Sequence, residues 1–300
     1  MKKDKTLVMI AGPTAVGKTS LCIDLAREIK TEIVSADARQ FYRELQIGSA
    51  SPTKEERQQI PHHLIGHLSI RDYYNVAIYE TQALEIINNL FRLKDHVILT
   101  GGSGLYLDTI YGGIDDLPDP DPAQRQKVKQ IFANEGITGL RNWLRKIDPS
   151  FYNEVDRANP KRMMRALEVY FSSGQPFSTL RKKQPQHRPF RIKRVIINRP
   201  RVELFQRINN RTDEMIRRGL IEEAIGMYPM RHHNALNTLG YKELFDWLAN
   251  RWNLELAIEK IKTNTRRYAK RQLTWFKRYD DATWFHPEDR SGILNHILQR

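Results

Sequence analysis

The sequence feature that most constrains the fold is Gly12-Pro-Thr-Ala-Val-Gly-Lys-Thr19, which follows an apolar run at 6–11 and precedes a helical pattern at 18–30. Glycines, lysine and threonine at this spacing, between a strand and a helix, form the phosphate-binding P-loop pattern. Its backbone N–H groups and the helix N-terminus attract phosphate oxygens. Lys18 is predicted to reach the terminal phosphate, and Thr19 to help hold Mg2+. The chain is therefore expected to bind a polyphosphate.

The first third of the chain alternates between short, β-branched strands and helical patterns. We expect strands at 6–11, 32–36 and 96–100, and helices at 18–30 and 76–93. Such alternation produces a parallel sheet with helices on both faces. The predicted fold class is therefore α/β, a P-loop-type three-layer core with a parallel sheet. Its ligands are expected at the carboxyl ends of the strands.

The composition changes at about residue 116. A stretch with Pro118, Pro120 and Pro122 is incompatible with the interior of a helix or strand. The segments that follow are helical patterns at 123–135, 137–147 and 160–173, a loop that includes Pro185, and a β-branched strand at 192–198. We therefore predict a catalytic core made of 1–115 and 196–300, with a helical insertion domain at 116–195.

Positive charge is concentrated in this predicted insertion. The chain has a net charge of +14 and a pI near 9.8. Residues 116–195 contain 17 Lys and Arg against 8 Asp and Glu, which accounts for +9 of that total. A basic surface with interspersed aromatic residues favours a nucleic-acid partner, and a general solubilising surface is the alternative.

Cysteine content and hydropathy exclude several classes of protein. Cys22 is the only cysteine in the sequence, so a disulfide framework and a cysteine zinc site are excluded. The apolar run at 6–11 is too short for the core of a signal peptide, and no run approaches the length of a membrane span. We therefore expect a cytoplasmic protein with no membrane partner.

Helical patterns return after the last predicted strand, at 201–218, 219–228, 240–249 and 254–278. The last pattern has one core-facing stripe, which includes Tyr268 and Gln272. Its other faces carry several cations and no acid between 260 and 278, and these cations are Lys262, Arg266, Arg267, Lys270, Arg271, Lys277 and Arg278. Because solvated helices usually pair Glu with Lys, this face favours phosphate binding over a purely solvated role.

Two polar residues follow predicted strands and are expected at the same sheet edge as the P-loop. Asp37 could hold Mg2+ or act as a general base, or it could serve only as a turn residue. Ser103 belongs to Gly101-Gly-Ser-Gly-Leu-Tyr106, where paired glycines let a ligand approach the backbone. Its alternative role is to cap the next helix. The residues alone leave both choices open.

Two pairs of arginines are spaced to share a helix face. Arg162 and Arg165 are one helical turn apart, and Arg207 and Arg211 are four residues apart. Guanidinium groups suit bidentate binding of a diphosphate or an RNA backbone. A surface ion pair is the alternative for each of them.

The motifs that are absent from the sequence narrow the reaction class. There is no Asn-Lys-x-Asp motif for guanine, no hydrophobic strand that ends in an acidic pair, and no His-x-Glu with paired cysteines. A GTPase switch, an ATPase motor and a zinc deaminase are therefore not favoured. The P-loop by itself still favours an ATP-binding, nucleotide-binding kinase that acts on a small molecule or a nucleotide.

Taken in order, six segments resemble the tRNA dimethylallyltransferases (tRNA isopentenyltransferases) of bacteria, from about residue 6 to 280. The segments are the P-loop, Ser35-Ala-Asp-Ala-Arg-Gln-Phe-Tyr42, Gly101-Gly-Ser-Gly-Leu-Tyr106, Asn159-Pro-Lys-Arg-Met-Met-Arg-Ala-Leu-Glu168, Leu239-Gly-Tyr-Lys-Glu243 and Thr265-Arg-Arg-Tyr-Ala-Lys-Arg-Gln-Leu-Thr-Trp275. Six segments in the order of the family are more specific than any one of them.

The resemblance implies transfer of a dimethylallyl group from dimethylallyl diphosphate to the exocyclic amine of the adenosine 3′ to the anticodon. The acceptor would be a tRNA that reads codons beginning with U, and diphosphate would be released. The diphosphate would lie on Gly12, Pro13, Thr14, Ala15, Val16, Gly17, Lys18 and Thr19. Mg2+ would be held by Thr19 and Asp37.

The resemblance also implies roles for single residues. Asp37 would be the general base, Ser103 would lie near the reacting centre, and Arg207 or Arg211 would face the diphosphate. The insertion at 116–195 would bind the tRNA anticodon stem-loop. The residues expected to contact substrate or tRNA are Gln40, Arg162, Arg165, Lys270, Arg271 and Gln272. We expect a monomer.

Some positions depart from the pattern of the family. Ala38 and Ser103 replace the usual Ser and Thr, and Ser51 stands where a lysine is usual. Gly66 and Asn75 replace the usual Asp and Ser. These departures leave the choice of allyl donor and tRNA open, and a divergent RNA-binding paralogue is a further alternative.

Overall fold

The structure of the protein is a computed structural model that describes residues 5–115, 117–119, 121–181 and 186–299. Some of the predictions concern residues outside these ranges. They are residues 1–4 of the predicted core, Asp116 and Pro120 at the predicted boundary, and Pro185 in a predicted loop. The chain forms two compact units. The core unit comprises Met1–Gly112 and His187–Arg300, and the helical unit comprises Gly113–Gln186.

The core unit contains a parallel sheet in the strand order β3-β2-β4-β1-β5-β6. Its strands are β1 (Thr6–Ala11), β2 (Ile33–Ser35), β3 (His62–His63), β4 (His96–Gly101), β5 (Arg191–Ile197) and β6 (Thr283–Phe285). The four strands predicted from the sequence are found as β1, β2, β4 and β5, and the α/β fold class is confirmed. The strands β3 and β6 were missed because β3 consists of two histidines and β6 contains no Val or Ile, so neither has the apolar signal that identified the short strand β2.

Helices connect the strands and form the helical unit. In chain order they are α1 (Lys18–Glu28), α2 (Lys54–Gln59), α3 (Val76–Phe91), α4 (Gly104–Gly112), α5 (Pro122–Ile147), α6 (Pro149–Glu154), α7 (Pro160–Ser173), α8 (Phe177–Leu180), α9 (Arg201–Arg217), α10 (Leu220–Met227), α11 (Tyr241–Leu248), α12 (Leu254–Phe276) and α13 (Arg290–Leu298). The longer helices match the predicted ones to within a few residues. None of the helices in the described ranges has the length and apolar character that a membrane crossing requires.

The alternating side chains of β1 build a separate core on each face of the sheet. Leu7 and Met9 pack into one cluster, which includes buried residues of α3, α4, α10 and α11. Val8 and Ile10 pack into the other, which includes buried residues of α1, α9 and α13. Successive strand residues point to opposite faces, so an all-apolar strand needs cover on both sides. This is the predicted three-layer arrangement.

The helical unit has its own core around the second half of α5. Leu140 and Leu144 are fully buried and pack with Phe151 of α6 and Met163 of α7. Helix α5 is broken at Gly136, whose φ of +62° lies in the left-handed region that favours glycine. The sequence analysis predicted separate helices on either side of this residue.

The boundaries of the helical unit change the predicted distribution of charge. Its last residue is Gln186, whereas the insertion was predicted to extend to 195. Arg188, Arg191, Lys193 and Arg194 therefore belong to the core unit. Residues 113–186 contain 13 Lys and Arg against 9 Asp and Glu. The unit is still basic, but the predicted excess of nine charges was too high because β5 begins at Arg191.

A buried ion pair holds the chain where it re-enters the core unit. The guanidinium of Arg188 contacts the carboxylate of Glu80 on α3, and both side chains are mostly buried. Arg188 also donates hydrogen bonds to the carbonyl oxygens of Ile110 (2.9 Å) and Thr109 (2.8 Å). These contacts join the segment before β5 to α3 and α4.

We expect Glu80→Leu to lower the free energy of unfolding by about 3–5 kcal/mol, because it removes one member of a buried ion pair. The matched control is Glu85→Leu, which changes an exposed carboxylate on the same helix and should alter stability by less than about 0.5 kcal/mol. Urea unfolding followed by circular dichroism measures both. Equal losses in the two variants would contradict this role of the ion pair.

Candidate active site

The segments after β1, β2 and β4 meet at one edge because these strands are parallel and adjacent. Ala11 at the end of β1 is in register with Gly101 at the end of β4. A Cβ atom on Gly101 would lie 2.2 Å from the carbonyl oxygen of Ala36, so this close approach requires glycine. The sheet therefore brings together the P-loop, the residues after Ser35 and the 101–103 segment.

The backbone of the P-loop offers hydrogen-bond donors to an anion. Ala15 and Gly17 have φ of +64° and +106°, and α1 begins at Lys18 without a side-chain cap. In the described part of the chain, the N–H groups of Ala15, Gly17, Lys18 and Thr19 have no hydrogen-bond acceptor. Such donors at a helix N-terminus form an anion-binding concavity. The geometry therefore suits the phosphate oxygens that the motif predicts.

Lys18 lies within this loop, and its pKa is lower than that of an exposed lysine. Its Nζ donates hydrogen bonds to the carbonyl oxygens of Gly12 and Pro13, both at 2.9 Å. Burial lowers the pKa of Lys18 to about 8, with a further lowering by Arg211, while Asp37 opposes the shift. Because the protein stabilises this ammonium poorly, an anion that binds beside it would stabilise it.

The two predicted arginines of α9 reach the same edge. Arg207 Nε donates to the carbonyl oxygen of Ala15 at 2.9 Å. Burial lowers the pKa of Arg211, Asp37 opposes this shift, and Arg207 adds to it. Both guanidinium groups therefore lie close to the phosphate loop, and Arg211 is also close to Asp37.

Arg199 is a further cation at the P-loop that the sequence analysis missed. Its Nε donates to the carbonyl oxygen of Val16 at 2.9 Å, and its Nη1 contacts the carboxylates of Glu203 and Glu288. Arg199 follows β5 by two residues. Because β5 lies next to β1 in the parallel sheet, its position after a strand end was the signal that could have found it.

Asp37 follows β2 and lies among charged and polar side chains. Its Oδ1 accepts a hydrogen bond from the backbone N–H of Arg39 at 3.0 Å, which is the turn role given above as an alternative. Its charge also acts on the pKa of Lys18, Arg211 and Tyr268. The carboxylate therefore forms a local turn and also belongs to the charge cluster beside the P-loop.

Ser103 lies between β2 and α12. Its Oγ accepts a hydrogen bond from the backbone N–H of Ala38 at 3.1 Å, and it also bonds to the side chain of Tyr268. The carbonyl oxygen of Ser103 accepts a hydrogen bond from the backbone N–H of Tyr106 at 3.0 Å, in the first turn of α4. Burial raises the pKa of Tyr268 to about 12, and Asp37 adds to this, so the phenol is neutral. Tyr268 was predicted as a core residue, but it contacts the site.

Gln272 joins two of the site loops to α12. Its Oε1 accepts from the N–H of Thr14 at 2.9 Å, and its Nε2 donates to the carbonyl oxygen of Gly102 at 2.8 Å. The side chain is buried. The sequence analysis expected Gln272 to bind substrate, and both ends of its amide are bonded to the protein backbone.

Several cations of α12 and the residues after it have partners that the sequence analysis did not anticipate. Lys262 Nζ contacts Asp213 at 2.8 Å, and Arg278 contacts Asp108 at 3.2 Å. Arg266 donates to Asn209 at 2.6 Å. The absence of acids between 260 and 278 did not imply free cations here, because the partners lie on other helices.

The other predicted contacts are more exposed. Lys270 lines a cavity of about 480 Å3 beside Arg199, and the Arg271 guanidinium lies 5.8 Å from the Tyr268 ring. In the helical unit the side chain of Arg162 is exposed. Arg165 donates to the carbonyl oxygen of Pro118 at 2.9 Å, within that unit.

The model of the IPP transferase family matches residues 40–279. The chain is 47% identical to tRNA dimethylallyltransferase 1 of Bacteroides thetaiotaomicron, over 97% of this chain and 95% of that protein. It is 46% identical to tRNA dimethylallyltransferase 2 of Porphyromonas gingivalis, over 97% of each. The chain belongs to the IPP transferase family. The P-loop precedes the part matched by the family model, but the full-length relatives align with nearly the whole chain.

Solved structures agree with this membership. The full-length tRNA isopentenylpyrophosphate transferase of Bacillus halodurans gives a TM-score of 0.72 at 34% identity, and covers 98% of this chain and 95% of its own. A eukaryotic dimethylallyltransferase acting on tRNA gives a TM-score of 0.78 at 28% identity, over 96% of this chain and 75% of its own. The resemblance seen in the sequence is confirmed, and the chain is an enzyme of the prenyltransferase class.

Several departures from the family pattern have a local structural account. Asn75 caps α3 by accepting from the N–H of Ile78 at 2.8 Å, a role that serine also fills. Ala38 contributes its backbone N–H, which does not depend on its side chain. Gly66 has a φ of +60°, in the left-handed region that favours glycine.

The Ser51 departure lies beside a predicted substrate residue. The Ser51 hydroxyl is 2.8 Å from that of Ser49, and Ser51 is buried. Gln40 Nε2 donates to the carbonyl oxygen of Ala50 at 3.1 Å, and its Oε1 accepts from Ser35 at 3.3 Å. Gln40 therefore ties this segment to the end of β2.

The sheet edge that carries the P-loop also has oxygen donors that suit a divalent cation. Thr19 offers a hydroxyl, and Asp37 keeps one carboxylate oxygen beside the one that accepts from Arg39. Mg2+ takes few protein oxygens and completes its shell with water and phosphate oxygens, so this donor set fits it. The donor atoms of Glu203, His286 and Glu288 also lie within 4.8 Å of one another. Because Arg199 contacts both of these glutamates, a cation already occupies that cluster.

We expect the affinity for dimethylallyl diphosphate, measured without RNA, to fall as pH rises through the Lys18 pKa of about 8. The protonated amine binds the anion, so affinity is fully present below this pKa and falls by up to about tenfold per pH unit above it. Isothermal titration calorimetry between pH 7 and 10 measures the dependence. Lys18→Met should bind more weakly with a flat profile. The same slope in both proteins would exclude Lys18 as its origin.

Proposed function

We propose that the chain transfers the dimethylallyl group of dimethylallyl diphosphate to the exocyclic amine of the adenosine 3′ to the anticodon, in tRNAs that read codons beginning with U. The observation that carries the proposal is the meeting of the P-loop, the α9 arginines and Asp37 at one sheet edge. Relatives named tRNA dimethylallyltransferase support it. A small-molecule kinase is not favoured, because the family is one of prenyltransferases.

The P-loop would hold the diphosphate, which becomes the leaving group. Cleavage of the allylic carbon–oxygen bond places negative charge on the diphosphate oxygens, and preorganised cations and N–H donors lower the barrier by stabilising that charge. Lys18, Arg207 and Arg211 would supply the cations, and Ala15 and Gly17 two of the N–H donors. The Thr14 N–H is already bonded to Gln272, so its contribution would be to fix the loop.

Asp37 would take the proton of the attacking amine. The exocyclic amine of adenine is a weak nucleophile, so removal of its proton as the new bond forms contributes typically about 100- to 10,000-fold in rate. The carboxylate lies among the cations of the site, where its charge acts to raise the pKa of Lys18 and of Arg211. The Ser103 hydroxyl and the Tyr268 phenol would orient the acceptor beside it.

A bound Mg2+, held by the Thr19 hydroxyl and by Asp37 through water, would neutralise part of the diphosphate charge and leave the second Asp37 oxygen free for the amine proton. The choice of Mg2+ among divalent metal ions is part of this proposal. A monomeric state and a cytoplasmic location also remain predictions from the sequence.

The acceptor RNA would contact both units. The helical unit would bind the anticodon stem-loop, with Arg162 and Arg165 as candidate contacts. In the core unit Gln40, Lys270 and Arg271 remain candidates. The target adenosine would have to leave its stack to bring its amine to Asp37, as in other enzymes that act on a nucleobase.

Asp37→Asn tests the chemistry separately from binding. With allyl-labelled dimethylallyl diphosphate and unmodified tRNA, we expect label transfer to fall by about 100- to 10,000-fold. Affinity for the diphosphate substrate without Mg2+ should stay equal or rise, because the substitution removes a negative charge beside Lys18 and Arg211. The matched control is Asp280→Asn, which changes an exposed acid away from the site. Transfer by Asp37→Asn at the unaltered rate would overturn the role of Asp37.

A further inference from the structure

A pocket in the helical unit gathers arginines that the sequence analysis did not single out. It has a volume of about 410 Å3. It is lined by Thr138, Arg141, Asn142, Arg145, Tyr152 and Arg157. The lining contains three guanidinium groups and no carboxylate. The residues come from the second half of α5, from α6 and from the turn that precedes α7.

Tyr152 and a backbone carbonyl hold the three guanidinium groups in place. Arg145 Nη2 donates to the Tyr152 hydroxyl at 2.8 Å, and the Arg145 and Arg157 guanidiniums lie 5.0 and 5.5 Å from the Tyr152 ring centre. Arg141 donates twice, at 3.0 and 2.8 Å, to the carbonyl oxygen of Arg157. Hydrogen bonds from Arg145 and Arg157 lower the pKa of Tyr152. The pocket is therefore organised by contacts that leave the positive charge uncompensated.

The neighbouring acids have other partners. Asp148 is buried and accepts hydrogen bonds from Phe151 and Ser178. Asp156 accepts from the N–H of Ala158 at 2.9 Å, and Glu154 lies 3.5 Å from Arg181. Over the described ranges, Arg141, Arg145 and Arg157 form no ion pair with a carboxylate within 4 Å. The charge that balances them must come from a ligand or from solvent ions.

The chemistry of the pocket selects a phosphate group. Guanidinium groups bind phosphate oxygens through paired N–H donors, and Asn142 and Thr138 add neutral hydrogen-bonding groups. The volume exceeds that of one phosphate and leaves room for the attached sugar. We propose that this pocket binds a backbone phosphate of the acceptor RNA. This inference rests on the proposed function, because it takes the RNA substrate from there.

The test uses Arg145→Gln and Arg157→Gln, made singly in the full chain. Both side chains are exposed, so each variant should keep the melting temperature of the parent protein. Binding of an unmodified anticodon stem-loop is measured by fluorescence anisotropy from 50 to 300 mM salt. Each substitution should weaken binding about 5- to 10-fold at 150 mM salt and reduce the slope of log affinity against log salt by about 0.7–0.9. Arg157→Lys should keep most of the slope, because it keeps the charge.

Lys129→Gln is the matched control, since it removes one exposed charge from the first half of α5, outside the pocket. It should leave the slope unchanged. In the transfer assay the arginine variants should raise the KM for tRNA, and leave kcat and the KM for dimethylallyl diphosphate unchanged. A kcat loss without a change in RNA affinity would overturn the proposal.

The outcomes separate this inference from the proposed function. If the unaltered protein binds and prenylates RNA and the arginine variants bind RNA equally well, the pocket proposal fails and the function stands. If the protein binds RNA without prenyl transfer, and the variants show the reduced slope of log affinity against log salt, the pocket proposal stands and the proposed chemistry fails. Absence of RNA binding by the unaltered protein would overturn both.

Discussion

The site depends on an imbalance of buried charge at the edge of the sheet. Lys18 and Arg211 are mostly buried, and burial lowers the pKa of both, while Asp37 is the acid that acts on each of them. Removing a charge from water is costly unless a partner compensates it. One carboxylate cannot neutralise two cations. A bound anion would therefore stabilise the arrangement, and a diphosphate beside the unpaired N–H groups of the P-loop would supply the missing charge.

The strand order determines on which side of the P-loop each group lies. The sheet places β4 and β2 on one side of β1, and β5 on the other. Asp37 and Ser103 follow β2 and β4, whereas Arg199 and the α9 arginines follow β5. Acid and cations thus approach the P-loop from opposite directions. An in-line displacement at carbon would use this separation, because its leaving group and its attacking nucleophile lie on opposite sides of the carbon.

The parts of the fold and site that could be predicted are those whose signal lies within a short stretch of the sequence. The strands with β-branched runs were found, and the P-loop, Asp37 and Ser103 lie at one sheet edge as expected, because strand ends in a parallel sheet share an edge. Tyr268 was placed in the core, since a helical stripe cannot distinguish a buried residue from one that faces a site. The partners of Lys262 and Arg278 were missed because Asp213 and Asp108 are distant in sequence. The charge of the helical unit was overestimated because its end was placed beyond the start of β5.

The same P-loop serves phosphoryl transfer in kinases, and the atom that the nucleophile attacks distinguishes the two reactions. In a kinase the nucleophile attacks the terminal phosphorus, so one of the phosphates that the loop and its lysine hold moves to the acceptor. In allyl transfer the nucleophile attacks carbon beyond the other end of the diphosphate, and the loop holds the group that stays behind. Gln272 fixes the loop to the 101–103 segment through Thr14 and Gly102. Electrostatic stabilisation of a leaving group is strongest when the donors are already in place, and the hydrogen bonds of Gln272 would supply part of that rigidity.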